Sequence, residues 1–224
     1  MRRILFLMFL SCAALGIAGT SFGVTVTVDP SATWLGFMNW YETPANGGAY
    51  AGGGVWGTND LVATFSGPVL TLAPNSVNDP SPYWYTPSGG PGATGNKIME
   101  ANMYVEQTGP LSGQSVTFTG TVLSNTLTSA HSSVAFIKDF APDYSSFNIA
   151  TVPLTSGVFN VSLNTVANPA RHVQFGFQTK GPNVWITDVA PYGSVKVTAV
   201  PEPASIGLAL VGVIGCLASL RWRY

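Results

Sequence analysis

The sequence predicts an all-β fold for the body of this 224-residue chain, a two-sheet antiparallel sandwich with a jelly-roll-like arrangement. Three observations favour this fold class: apolar and polar residues alternate repeatedly, turn residues separate the alternating stretches, and no stretch has the period of a long amphipathic helix. The 25 Gly and 16 Pro residues supply those turns. At this length we expect one domain between two targeting segments.

The N-terminal segment has the features of a secretory signal peptide. Arg2 and Arg3 precede an apolar run over residues 4–18, and small residues follow it. We therefore assign residues 1–23 to the signal peptide, with cleavage leaving a mature chain that begins between Gly19 and Val24.

Residues 24–199 form the predicted β-sandwich domain. Its strands are expected where apolar residues alternate with Ser, Thr, Gln or Lys. The expected strands span residues 24–28, 115–122, 133–140, 157–163, 172–179, 184–189 and 194–200.

Composition excludes some classes of partner and of stabilisation. Only 8% of residues are charged, and four of the nine basic residues lie at the chain ends, so the body carries no basic surface for nucleic acid. Cys12 and Cys216 both lie in apolar terminal segments. The body is therefore expected to fold without disulfides or cysteine metal ligands.

Two segments, residues 34–60 and 73–97, are rich in Gly, Pro, Asn and aromatic residues. Their composition predicts long ordered loops over one end or face of the sandwich. Loops of this length are commonly functional, and the many Trp and Tyr residues argue against disorder.

Tyr83, Trp84 and Tyr85 are the candidate glycan-binding residues within these loops. If the segment is extended, Tyr83 and Tyr85 point one way and Trp84 the other, so that one face is free. Aromatic rings stack on sugar rings, and neighbouring Asn and Asp side chains bind hydroxyl groups. The alternative is that the three rings only cap the core.

Glu42 and Asp188 are weak candidates for a metal site. The body loosely resembles carbohydrate-binding modules of the jelly-roll type in its strand pattern and in its ending, NVWITDVAPYGSVKV. That resemblance implies a structural Ca²⁺ ion held by carboxylate and carbonyl oxygens. Solvated carboxylates in turns are the alternative, and no other cofactor is expected.

Catalytic motifs are absent from the sequence, so the body is predicted not to be an enzyme. It contains neither a Gly-x-Ser-x-Gly elbow nor a His-Glu-x-x-His sequence. Glu100 and Glu106 lie on one strand-like segment, MEANMYVE, where an even spacing puts both on the same, solvent-facing side. We expect a solvated face there instead of a catalytic pair.

The C-terminal segment, residues 200–224, predicts a membrane helix. Residues 204–220 carry no charge, and as a helix they extend about 25 Å, most of the roughly 30 Å hydrocarbon core. Arg221 and Arg223 follow, which favours a cytoplasmic end and an external body.

The same segment resembles the PEP-CTERM sorting signal. Pro201, Glu202 and Pro203, the apolar span, and Arg221 with Arg223 occur in the family's order. The resemblance implies processing by an exosortase, a membrane enzyme of bacteria that make extracellular polysaccharide. The expected route is export across the inner membrane, a membrane-anchored intermediate, and then the cell surface or matrix.

Two functions follow as hypotheses. The first is a non-catalytic glycan-binding module at the cell surface, with exopolysaccharide as its partner. The second is a structural or adhesive matrix protein that binds no ligand and stays on its C-terminal membrane anchor.

Overall fold

The structure, a computed structural model that describes residues 23–200, confirms an all-β fold with antiparallel sheets. Turns and three short 3-10 helices connect the strands of this part of the chain. The strands are β1 (Gly23–Thr27), β2 (Leu35–Glu42), β3 (Tyr50–Val55), β4 (Ala63–Ser66), β5 (Val69–Leu72), β6 (Tyr85–Thr86), β7 (Thr94–Gly95), β8 (Lys97–Thr108), β9 (Ser115–Asn125), β10 (Ser132–Phe140), β11 (Phe147–Pro153), β12 (Gly157–Asn164), β13 (His172–Pro182) and β14 (Val195–Thr198).

The first sheet has six strands and is organised around β9. Its order is β1-β9-β14-β5-β4, and β12 also pairs with β9. β12 lies along one edge of β9, while β1 and β14 lie end to end along the other, opposite residues 115–119 and 121–125. The β1–β9 pair is parallel, and the other pairs of this sheet are antiparallel. The first and last strands of the body are therefore held in the same sheet.

The second sheet also has six strands, in the order β11-β10-β13-β8-β2-β3. Every pair in it is antiparallel. Its central strands β8 and β13 are long and pair over eleven residues. This sheet provides a broad surface on the side that faces away from the core.

One core lies between the two sheets, as in a β-sandwich. Phe118 of β9 is fully buried, and its ring centroid lies 5.4 Å from that of Phe175 and 5.3 Å from that of Phe177, both on β13. Successive side chains of a strand point to opposite faces, so alternate residues of each sheet reach this core. In β8 these are Met99, Ala101, Met103 and Val105.

The prediction of a long loop over residues 34–60 was wrong. Most of this segment forms β2 and β3, an antiparallel pair joined by a turn that contains a 3-10 helix at Pro44–Asn46. Gly52 of β3 leaves room for the Trp40 ring of the paired strand. A Cβ atom on Gly52 would lie 2.4 Å from the Trp40 ring, so the bare backbone leaves the space that the indole fills.

The strand predicted at residues 184–189 was also wrong. Ile186–Asp188 forms a 3-10 helix, between Pro182 and Pro191. A strand needs a neighbour for its backbone groups, and the Val184 N–H instead donates to the carbonyl oxygen of Asn75 in a loop. Val184 is buried whereas Ile186 is 54% exposed, so the alternate apolar residues of this segment do not share one face.

Residues 73–97 form a long ordered connection, as the composition predicts. Within this described connection, the only two strands that pair with each other are the short β6 and β7.

No helix within residues 23–200 combines the length and the apolar character that a membrane span requires. The predicted membrane helix at 204–220, the sorting-signal residues and the signal peptide up to residue 22 lie outside the described residues.

Candidate functional site

Tyr85 is a core residue, so its assignment as a glycan contact was wrong. Its side chain is fully buried. Its hydroxyl accepts a hydrogen bond from the N–H of Val77 and donates one to the carbonyl of the same residue, at 2.9 and 3.0 Å. Both polar functions of the phenol are thus satisfied inside the protein.

The premise that Tyr83 to Tyr85 form an extended segment was also wrong, because a turn leads into β6 here and only Tyr85 belongs to that strand. The N–H groups of Trp84 and Tyr85 both donate to the carbonyl of Ser81. Pro82 suits such a turn because its ring fixes φ near the required value. The half-buried Trp84 packs against Trp40, with the ring centroids 5.5 Å apart.

Tyr83 is the one member of the triplet that stays well exposed, at 45%. Its hydroxyl accepts a hydrogen bond from the Trp40 indole at 3.0 Å. The Lys97 ammonium lies 4.2 Å from the ring centroid, over one face of the ring. Only the remainder of this ring is free to meet a ligand.

The two metal candidates each have protein partners of their own. The carboxylate of Glu42 is 2.9 Å from the Lys97 ammonium. Asp188 accepts hydrogen bonds from the Gly92 N–H and the Thr187 hydroxyl. Within residues 23–200, no group of three or more His, Cys, Asp or Glu side chains is arranged to hold a metal ion.

A concave groove of about 620 Å³ lies on the face of the second sheet that points away from the core. We call it the outer groove. Its volume is in the usual range for ligand sites, roughly 300–1,000 Å³. Its apolar and aromatic lining consists of Leu35, Phe37, Tyr41, Val55, Tyr104, Phe140, Tyr144 and Phe147; its polar lining consists of Asn39, Glu100, Asn102, Glu106, Lys138 and Gln174.

Strand alternation explains why these residues meet. In β8 the odd-numbered residues from Met99 to Val105 enter the core, so the even-numbered ones, Glu100 to Glu106, face the groove. Antiparallel register then aligns side chains across strands. Lys138, Gln174 and Glu106 occupy neighbouring positions of one row on β10, β13 and β8.

At one end of the outer groove, Glu100 is held by a cation and an amide. The Lys180 ammonium lies 3.0 Å from its Oε2 atom, and the Asn39 amide donates to Oε1 at 3.3 Å. Lys180 also lies 4.6 Å from the ring centroid of Tyr41. This carboxylate is therefore neutralised before any ligand arrives.

At the other end, Glu106 is bound mainly by neutral donors. The Tyr144 hydroxyl donates to Oε1 at 2.9 Å, and the Gln174 amide donates to Oε2 at 2.7 Å. Tyr144 reaches this position from the β10–β11 turn, where its backbone has a φ of 58°. Non-Gly residues with positive φ are uncommon and often occur at functional sites.

Lys138 also lines the outer groove, although its side chain is buried. Its ammonium donates to Asn102 Oδ1 at 3.0 Å and lies 4.4 Å from the ring centroid of Phe136. Burial lowers the pKa of Lys138, and the charge of Glu100 acts in the opposite direction.

Glu100 and Glu106 share one face, as the sequence predicts, but that face lines a groove. Six residues of strand separate their Cα atoms by about 20 Å, at about 3.3 Å per residue. Paired carboxylates of glycoside hydrolysis lie about 5 to 9.5 Å apart. Glu100 and Glu106 are too far apart, and bound to different partners, to act as the carboxylate pair of a glycoside hydrolase.

Sequence reasoning missed most of the outer groove, including Tyr104, Lys138, Tyr144 and Phe147. One signal was present in SVAFIKDF, where Val134 to Ile137 are apolar without interruption. A strand that is apolar on both faces is covered on both faces, so β10 already indicated a second packed surface.

Comparison with known proteins adds no relative: no protein-family model, no curated protein and no solved structure matches this chain.

Proposed function

We propose that the chain is an exported cell-surface or matrix protein whose β-sandwich binds polysaccharide without catalysis, and that the outer groove is the binding site. The observation that carries this proposal is the lining of the groove, where aromatic rings and hydrogen-bonding side chains lie together on one concave sheet face.

The chemistry of this lining suits sugars. The apolar faces of sugar rings stack on aromatic side chains, and amide and carboxylate groups bind the hydroxyl groups around the ring edge. Tyr41 and Phe147 lie on different strands of the groove, beside Asn39 and Lys138. Strands from β2 to β11 contribute, and at about 4.8 Å per strand this gives a surface roughly 20 Å across, long enough for several sugar units.

The location belongs to the same proposal and rests on residues outside the described part of the chain. The signal peptide, Pro201, Glu202 and Pro203, the apolar span and the final arginines resemble segments that direct export and sorting. An exosortase-type enzyme is the proposed partner in this step, and the helix at 204–220 would hold the chain in the membrane before it.

Binding to polysaccharide tests the proposed function. We would purify the full chain in mild detergent and measure its retention on the exopolysaccharide of the producing cells and on a panel of neutral and acidic polysaccharides. Phe147→Ala removes an exposed ring from the groove, whereas Val158→Ala truncates an exposed residue of β12 in the other sheet.

We expect Phe147→Ala to weaken binding about twofold to tenfold, since one aromatic contact contributes about 0.5 to 1.5 kcal/mol. Val158→Ala should bind as the wild type does. If the wild type is retained on no polysaccharide, the outer groove is not a glycan site. The same conclusion follows if the two variants lose the same fraction of polysaccharide binding.

A structural or adhesive matrix protein is the second candidate. β11 is an edge strand that exposes Phe147 and Ile149, at 48% and 46%. Exposed edges of this kind pair readily with other chains. Concentration-dependent self-association, lost in Ile149→Lys, together with no polysaccharide binding, would favour this candidate.

A further inference from the structure

Within residues 23–200, Lys138 has no carboxylate partner, in contrast to Lys97 and Lys180. Lys97 has Glu42 at 2.9 Å and Lys180 has Glu100 at 3.0 Å. Within the described part of the chain, the Lys138 ammonium has no carboxylate at ion-pair distance. Its one hydrogen-bond acceptor there is Asn102 Oδ1.

This arrangement leaves a buried cation without a counter-ion. The side chain of Lys138 is 8% exposed, and burial of an unpaired charge is costly. Asn102 compensates only in part, because its Oδ1 atom also accepts a hydrogen bond from Gln178. The remaining N–H groups of the ammonium therefore lack an anionic partner.

The two carboxylates of the outer groove do not fill this role. Glu100 is paired with Lys180, and Glu106 receives hydrogen bonds from Tyr144 and Gln174. Both carboxylates therefore already have hydrogen-bond or ion-pair partners within the protein. Lys138 consequently offers a positive charge to a ligand that enters the groove.

We infer that the outer groove selects an acidic polysaccharide, and that the Lys138 ammonium binds the carboxylate of a uronic acid unit. The inference rests on the proposed function and names its ligand class. A carboxylate at Lys138 supplies the missing counter-ion in a partly dehydrated site, where a charge-assisted hydrogen bond is strongest.

The surroundings favour a sugar carboxylate over a free anion. The Phe140 and Phe147 rings line the groove beside Lys138, which itself lies 5.8 Å from the ring centroid of Phe147. Gln174 and Glu106 continue the row of Lys138 at about 4.8 Å per strand. A uronic acid presents a carboxylate, an apolar ring face and hydroxyl groups together, which matches these three types of group.

Paired ligands test the inference on the wild-type chain. The probes are oligosaccharides of polygalacturonate and the same oligosaccharides after reduction of each carboxylate to a primary alcohol. We expect the full chain, in detergent at physiological salt, to bind the acidic form at least about tenfold more tightly in calorimetry, a factor within reach of one charge-assisted hydrogen bond.

Two variants assign the effect to one residue. Lys138→Met removes the charge and keeps the length of the side chain, and Lys196→Met removes the charge of a lysine on β14, in the other sheet. We expect Lys138→Met to lose the preference for the acidic form, so that it binds the acidic and the reduced forms with similar affinity. Lys196→Met should keep the full preference.

The outcomes separate the two proposals. Three results would overturn the acidic ligand class and leave the glycan site in place. The wild type could bind both probes equally, Lys138→Met could keep the full preference for the acidic form, or Lys196→Met could lose as much of that preference as Lys138→Met. Dextran sulfate bound as tightly as the uronate would show a general anion site and would overturn the uronate. If no neutral or acidic polysaccharide binds, the proposed function fails with it. The paired probes remain decisive where a variant does not fold.

Discussion

The phenol ring of Tyr144 lies flat against the imidazole of His172, with the ring centroids 4.3 Å apart and the planes inclined by 13°. The Tyr144 hydroxyl also donates a hydrogen bond to Glu106. Backbone conformations with positive φ persist in bulky residues only where such contacts hold them. The stack and the hydrogen bond thus fix one end wall of the outer groove.

The environment of the Tyr144 hydroxyl beside Glu106 predicts that the stability of the protein depends on pH above pH 10. Partial desolvation of this ring, which stays 47% exposed, together with the hydrogen bond and negative charge of Glu106, raises the pKa of Tyr144 to about 12. In the unfolded chain a tyrosine titrates near pH 10. Between about pH 10 and 12 the unfolded chain binds fewer protons at this residue, so the stabilisation present below pH 10 is lost as the pH rises.

We expect the urea denaturation midpoint to fall more steeply from pH 9 to pH 11 in the wild type than in Tyr144→Phe. Tyr50→Phe changes an exposed phenol outside the groove and should follow the wild type. Identical slopes in the wild type and Tyr144→Phe would contradict this prediction.

The buried pair of Arg171 and Asp139 predicts a large loss of stability on truncation. Asp139 is fully buried, and the guanidinium Nε of Arg171 donates to its Oδ1 atom at 2.8 Å. Arg171→Ala leaves the buried carboxylate with the Val166 N–H as a donor but without its ion-pair partner, which costs about 3 to 5 kcal/mol. Urea denaturation measures this loss in the free energy of unfolding, and Lys196→Ala serves as the exposed control. A loss below about 1 kcal/mol would show that water replaces the guanidinium.

Tyr85 and Tyr83 should respond in opposite ways to truncation. Tyr85→Ala removes a fully buried ring and should lower the free energy of unfolding by about 3 to 5 kcal/mol. Tyr83→Ala loses an exposed ring and one hydrogen bond from Trp40, so we expect a loss near 1 kcal/mol. Thermal melting of both variants measures the contrast, and equal losses would contradict the assignment of Tyr85 to the core.

Residues 24–200 should fold without the terminal segments and without disulfides. They contain no cysteine, and one core joins the two sheets. We expect a β-rich circular dichroism spectrum and a melting temperature that reductant does not change. A helical spectrum would contradict the fold.

The C-terminal segment predicts a sorting phenotype that leaves the sandwich intact. Glu202→Ala, or Arg221 and Arg223 both changed to Ser, should alter the processed mass or the surface location of the chain. The residues changed lie beyond β14, so melting of the body should stay as in the wild type. Unchanged mass and location in every variant would favour a simple membrane anchor.

The alternating pattern of the sequence by itself determined the all-β class and the strands β1, β8, β9, β10, β12, β13 and β14, but it did not reveal β4, β5, β6, β7 or β11. In MEANMYVE it also determined that Glu100 and Glu106 share a face, because side chains of a strand alternate whatever surrounds it. The spacing of the outer-groove residues along each strand was therefore readable.

Tertiary structure alone decided which of these faces became a site. Lys138, Glu106 and Tyr144 come from two strands and a turn that only the β10-β13-β8 order brings together. Local sequence also gave no means to tell Tyr85 from Tyr83, since burial depends on what packs around a turn. The same limit made residues 184–189 read as a strand, because alternation reports two environments for side chains and carries no information on whether a neighbouring strand is there to pair with the backbone.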